Sequence, residues 1–94
     1  MDKNIILALL KEESYPAHMI ENTLAKLENL QPQVALMFSA WVNTGKIPET
    51  SIEGFTYSTL VDNYGMKPIG AFLTLDWLVR EPERACASLK KGIK

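Results

Sequence analysis

The sequence has little cysteine, no long hydrophobic run and almost no net charge. Its single cysteine, Cys86, excludes a disulfide within the chain and indicates a reducing compartment. The formal net charge is −1, which gives no overall attraction to nucleic acid or to an anionic membrane. The apolar run at positions 5–10 is too short for a signal-peptide core, and no run approaches the roughly 20 residues that span a bilayer. We therefore expect a cytoplasmic protein without a membrane anchor.

Motifs for catalysis and for cofactor binding are also missing. Thr44-Gly45-Lys46 contains a Gly-Lys pair, but the upstream glycine and the following Ser or Thr of a phosphate-binding loop are absent. His18 and Cys86 stand far apart and show no metal-ligand spacing. We therefore expect no catalytic residue, no cofactor and no metal, and the motifs alone indicate no activity.

Five prolines at near-regular intervals predict a division of the chain into short helices. Proline is tolerated in the first turn of a helix because its missing N–H would have no partner there, and it disfavours helix at the preceding residue. A chain of 94 residues suits one helical domain, over positions 1–94. The prolines are Pro16, Pro32, Pro48, Pro68 and Pro82.

The apolar spacing between these prolines predicts an all-α fold, a compact array of five to six short helices. Asp2 and Thr56 are candidate N-caps, and Gly45 and Gly65 are candidate helix ends. The third and fifth helices are apolar nearly all round, so we expect them at the centre. The predicted helices span positions 3–12, 16–30, 32–43, 56–64, 68–80 and 82–91.

A faint repeat with an offset of 36 residues relates two parts of the chain. Such a period is typical of stacked helical hairpins, and it predicts equivalent places for the third and fifth helices. The alternative, which we favour, is that any two amphipathic hairpins share this spacing. The identical pairs are Leu24 with Leu60, Pro32 with Pro68, Ala35 with Ala71, and Trp41 with Trp77.

Two largely apolar helices leave much surface for a chain of this size to cover. A leftover apolar face would favour association with a second copy or with another protein. Our first hypothesis is therefore a small intracellular interaction module, acting as a homodimer. Large aromatic residues on such helices are more often core than ligand pocket. The candidate interaction residues are Met37, Phe38, Trp41, Phe72, Leu73 and Trp77.

Asp76 is the one charge inside the fifth helix, and Arg80 follows four residues later on the same face. We favour an exposed ion pair between the two side chains. The alternative is a buried carboxylate, which would need a partner and would mark a candidate functional site. An enzyme or small-molecule binder built around Asp76 with Tyr57 and Tyr64 is our third functional hypothesis.

Residues 57–78 also resemble a helix-turn-helix in pattern, with Gly65 at the turn. This is the second hypothesis, a nucleic-acid-associated regulator. The N-terminal part of a recognition helix reads base edges through polar or basic side chains. Here that stretch is 67–72, where Lys67 is the only basic residue, too few for the phosphate contacts that drive affinity. The composition thus argues against nucleic acid as a partner.

Overall fold

The computed structural model describes residues 3–48 and 50–92, and in this part of the chain there are six α-helices and no β-strand. The predicted all-α fold is confirmed. The predicted bounds of α1 and α5 agree with the structure at both ends, whereas the candidate cap Asp2 lies outside the described residues. The helices are α1 (Lys3–Glu12), α2 (Ala17–Glu28), α3 (Pro32–Thr44), α4 (Tyr57–Asp62), α5 (Pro68–Arg80) and α6 (Pro82–Gly92).

Three helices, α3, α5 and α6, begin at a proline, as predicted. The residues before Pro32 and Pro68 have extended backbone, with ψ of 146° and 158°. Neither α3 nor α5 receives a side-chain hydrogen bond from its own N-cap residue. The first backbone N–H groups of both helices therefore need partners from elsewhere in the fold.

The connection from α3 to α4 is fixed to the core by a tight turn. Gly45 ends α3 in the left-handed conformation, at φ 74°. Ile52 and Phe55 then exchange two backbone hydrogen bonds of 2.8 and 2.9 Å. Between them Glu53 and Gly54 both have positive φ, which is the signature of a type I′ turn. The Ile52 and Phe55 side chains are buried, so this connection belongs to the core.

The central helix is α5, which packs against α3, α4 and α6. Its five buried residues span about half of the helix circumference. In contrast, α3 buries only Val34, Met37 and Phe38, and its Leu36 is 72% exposed. The residues that α5 buries are Ile69, Ala71, Phe72, Leu75 and Leu78.

The 36-residue repeat matches the bounds of α3 and α5 but not their burial. The three residues that α3 buries fall, after the shift, on residues of α5 that are only partly buried. Conversely, Phe72 is fully buried whereas its counterpart Leu36 is largely exposed. Trp41 and Trp77 both lie partly buried against the core. The two helices thus turn different faces to the core, and the repeat stays a prediction.

Candidate functional site

The predicted interaction residues fall into two groups, of which the first is covered within the chain. Met37, Phe38 and Phe72 are 3, 1 and 0% exposed. The expectation that they form a leftover apolar face is therefore corrected. The other helices cover them, because α1, α2, α4 and α6 all contribute buried residues to the same core.

Phe72 lies at the centre of an aromatic cluster that includes Trp41. The ring centroid of Phe72 is 5.1 Å from that of Phe38, 5.5 Å from that of Trp41 and 5.0 Å from that of Tyr57. Such separations are typical of packed aromatic pairs. Trp41 is therefore a packing residue at the edge of the core.

The other candidates line one cleft between α2 and α5. The cleft has a volume of about 690 Å³, against about 270 and 250 Å³ for two smaller cavities. Leu73 and Trp77 lie one turn apart on α5, and both are only partly buried. The structure thus brings together Leu73, Trp77 and the pair Asp76–Arg80. The lining residues are Ala25, Lys26, Asn29, Leu73, Thr74, Asp76, Trp77 and Arg80.

Asp76 and Arg80 attach α5 to the turn between α2 and α3. Asp76 Oδ1 accepts a hydrogen bond of 2.7 Å from the backbone N–H of Gln31, the N-cap residue of α3. Asp76 Oδ2 accepts a second bond of 2.7 Å from Arg80 Nε–H. Arg80 Nη2 donates to the backbone carbonyl of Asn29, the residue that ends α2. One ion pair therefore joins both ends of the turn to α5.

The pairing of Asp76 with Arg80 agrees with the prediction, but the burial of Asp76 does not. The Asp76 side chain is 14% exposed and that of Arg80 is 45% exposed. Arg80 is exposed as expected, but the expectation of an exposed Asp76 is corrected, because its carboxylate lies over an N–H at the start of α3 that has no partner within its own helix. Burial of this acid is supported by two hydrogen bonds.

The catalytic hypothesis gains no support from this geometry. Both oxygens of Asp76 are engaged by Gln31 and Arg80. Tyr57 packs against Phe72 with its ring tilted by 31°, and the ring centroid of Tyr64 lies 6.0 Å from that of Phe55. Neither tyrosine lines the cleft with Asp76. The three residues that this hypothesis combined do not meet in one pocket.

Glu13 makes a second contact of this kind, at the start of α5. Its carboxylate accepts a hydrogen bond from the backbone N–H of Ile69, whose nitrogen lies 3.3 Å from Oε1 and 3.4 Å from Oε2. Lys67 Nζ donates to the backbone carbonyl of Glu13 at 3.0 Å. Sequence reasoning missed this contact, because positions 13 and 69 are 56 residues apart and no local pattern relates them.

The surroundings of Glu13 disfavour its charge. Burial raises the pKa of Glu13 above the ordinary 4.5 and outweighs the lowering effects of the Ile69 N–H and of Lys67. Burial also raises the pKa of Tyr15 and Tyr57, and the nearby Glu13 carboxylate adds to this effect. The start of α5 is therefore a half-buried polar cluster with an acid at its centre.

This arrangement counts against a recognition helix. Ile69, Ala71 and Phe72 are fully buried, although they belong to the stretch that would have to face base edges. The Glu13 carboxylate occupies the backbone N–H of Ile69, where a phosphate group could otherwise bind. The helix-turn-helix alternative thus loses the exposed surface that it requires.

No group of three or more His, Cys, Asp or Glu residues in the described part of the chain could hold a metal ion. None of the helices in positions 3–48 and 50–92 is long and apolar enough to cross a membrane. Comparison with protein-family models, with curated proteins and with solved structures finds no match for this chain. We therefore interpret the cleft from its own chemistry.

Proposed function

We propose that the protein is an interaction module that binds a segment of another protein in the cleft between α2 and α5. The observation that carries this proposal is the partly uncovered pair Leu73 and Trp77 inside the cleft. The cleft volume of about 690 Å³ falls within the range of about 300–1,000 Å³ that is typical of ligand sites. Tryptophan is also enriched among the residues that dominate binding energy at interfaces.

The ion pair at the cleft supports this proposal, because it fixes the shape of the site. Asp76 and Arg80 connect α5 to the backbone at Gln31 and Asn29, so the two helices that form the walls are joined. A site that is already ordered loses less conformational entropy when a partner binds. The partly apolar lining and the fixed walls together favour an anchor side chain of a partner.

A second copy of the chain was our first expectation for the partner. That expectation depended on an uncovered apolar face, and Met37, Phe38 and Phe72 are buried within one chain. We therefore assign the cleft to a different protein and treat self-association as an outcome of the test. A cytoplasmic location, inferred from the single cysteine, remains part of the proposal.

Selection of peptides on the purified protein tests the proposal. A phage library of random 16-residue peptides is selected on the wild type, and the enriched peptides are synthesised. Their affinities are then measured for the wild type, for Ala25→Trp and for Ala8→Trp. Ala25 is exposed and lines the cleft, so a tryptophan there obstructs part of it; Ala8 is exposed on α1 and lies outside it.

We expect the enriched peptides to bind the wild type and Ala8→Trp within about twofold, and to bind Ala25→Trp at least about tenfold more weakly, about 1.4 kcal/mol. Equal binding to Ala25→Trp and Ala8→Trp, or a library without any enriched peptide, would show that the proposal is wrong. A dimeric wild type that becomes monomeric in Ala25→Trp alone would show that the cleft binds a second copy instead.

A further inference from the structure

We infer that the segment bound in the cleft is acidic, with an Asp or Glu next to its apolar anchor, and that this carboxylate pairs with Lys26 and Arg80. The inference depends on the proposed function and goes beyond it by naming the chemistry of the partner.

The cleft is more positive than the chain as a whole. Its charged lining residues are Lys26, Arg80 and Asp76, two cations and one carboxylate, so the lining carries a net charge of +1. The full chain has a net charge of −1. Asp76 is already compensated by Arg80 and by the Gln31 N–H. The charge left for a partner is therefore positive.

The side chains of Lys26 and Arg80 both have hydrogen-bond donors without a partner in the described part of the chain. The side-chain ammonium of Lys26, in the last turn of α2, has no hydrogen bond or ion pair with any residue that the structure describes. Arg80 uses Nε for Asp76 and Nη2 for Asn29, and Nη1 has no partner in the described ranges. These two contacts hold the planar guanidinium in place, so pairing with a further carboxylate requires little additional ordering. Hydrogen bonds between such ions are stronger than neutral ones.

The apolar part of the lining selects a peptide over a nucleic acid. Leu73, Trp77 and Ala25 offer apolar surface beside the two cations. A phosphate polymer derives its affinity from several simultaneous contacts with Lys and Arg, and this cleft contains two cations. An amphipathic segment with one acidic residue beside a bulky apolar one satisfies both parts of the lining.

Charge reversal at Lys26 tests the inference with the peptides selected above. Lys26→Glu is compared with Lys11→Glu, an exposed position on α1 that makes the same change of net charge away from the cleft. At low salt we expect Lys26→Glu to weaken binding about tenfold, and Lys11→Glu to weaken it less than about twofold.

The peptides provide the reciprocal test. Replacing the acidic residue of a peptide by its amide should weaken binding to the wild type about tenfold, and the amide peptide should no longer distinguish Lys26→Glu from Lys11→Glu, because the two changes remove the same interaction. A peptide with lysine at that position should prefer Lys26→Glu over the wild type.

Three results would overturn the inference. Peptides that depend on Ala25 but contain no enriched acid, and that bind both lysine variants equally, would refute it while the proposed function stands. A library without cleft-dependent peptides would refute both. Binding of a labelled single-stranded oligonucleotide that is lost in Lys26→Glu but not in Lys11→Glu would assign the cleft to nucleic acid.

Discussion

At the scale of the residue, Glu13 and Asp76 perform the same task at two places. Each carboxylate accepts a hydrogen bond from a backbone N–H at the start of a helix that begins with proline. The donor to Glu13 is Ile69, and the donor to Asp76 is Gln31. These N–H groups have no partner within their own helices, and a buried unpaired N–H is costly. The charges of the two acids are balanced differently. Asp76 forms an ion pair with Arg80, whereas burial raises the pKa of Glu13.

Glu13→Gln should stabilise the protein near neutral pH, because the amide oxygen can still accept the Ile69 N–H without a buried charge. With a folded-state pKa above the ordinary 4.5, Glu13 contributes stability that is fully present below pH 4.5 and is lost as the pH rises through its raised pKa. The free energy of unfolding of the wild type should therefore fall relative to that of Glu13→Gln over this window, as measured by urea unfolding. If the free energy of unfolding of the wild type instead rose relative to that of Glu13→Gln with increasing pH, this expectation would be contradicted.

Asp76→Ala should destabilise the protein by about 1–3 kcal/mol, because it leaves the Gln31 N–H and the Arg80 guanidinium without their partner. Asp76→Asn retains an oxygen for the Gln31 N–H but places its NH2 group against Arg80 Nε–H, so the ion pair and its hydrogen bond are both lost and a smaller loss of about 0.5–2 kcal/mol is expected. Asp62→Ala, at an exposed position of α4, is the control and should stay within about 0.5 kcal/mol. Equal stability of Asp76→Ala and Asp62→Ala in urea unfolding would show that the ion pair does not hold the turn.

The sequence predicts only the local part of these two networks. Asp76 and Arg80 are four residues apart on one helix, so their pairing follows from helical geometry alone. The burial of Asp76 and the contact of Glu13 with Ile69 depend on segments 45 and 56 residues away. No pattern within one helix contains that information, which is why the exposed pair was the expectation and Glu13 was missed.

At the scale of the element, helix starts at proline are predictable, whereas helix ends and helix faces are less so: α2 and α4 each end two residues before the predicted position. Proline starts α3 and α5, and Gly45 ends α3, because these residues restrict or permit backbone angles by themselves. Which side of an apolar helix is covered depends on its neighbours. α5 lies between three other helices, whereas α3 leaves Leu36 in solvent although its composition is just as apolar.

The same leucine-to-alanine substitution distinguishes these two helices. Leu75→Ala, at a fully buried position of α5, should destabilise the protein by about 2–5 kcal/mol through lost burial and a cavity. Leu36→Ala, at the exposed position of α3, should change stability by less than about 0.5 kcal/mol. Urea unfolding of both variants checks this contrast, and a large loss in Leu36→Ala would place that side of α3 against something that covers it.

At the scale of the whole molecule, a single chain covers its own core, although the apolar composition of α3 and α5 suggested that a second copy of the chain would be needed. Six short helices suffice because the four flanking ones each contribute buried side chains around α3 and α5. Leu73 and Trp77 stay partly uncovered in the cleft between α2 and α5, whereas the most exposed of the large apolar side chains, Ile5, Met19 and Leu36, lie outside it. Sequence reasoning named four of its residues, but their meeting depends on how α2 and α5 are packed.

We expect the protein to be a monomer of 10.6 kDa by light scattering over a hundredfold dilution, because Met37, Phe38 and Phe72 are covered without a second copy. A mass of twice this value that persists at the lowest concentration would contradict the expectation and would make a second copy of the chain the favoured partner. The Ala25→Trp variant, measured in the same way, shows whether the cleft is the surface involved.

The two acids that reach the starts of α3 and α5 also bear on how long the folded state lasts. Glu13, in the first half of the chain, accepts a hydrogen bond from the start of α5 in the second half. Asp76, in the second half, accepts one from the start of α3 in the first half. Neither contact can form until segments 56 and 45 residues apart in sequence have met, so we expect both to form late in folding. Interactions that form after the transition state affect the unfolding rate rather than the folding rate. Replacement of either side chain by alanine, which removes the acceptor of the hydrogen bond, should therefore shorten the lifetime of the native protein far more than it delays its formation.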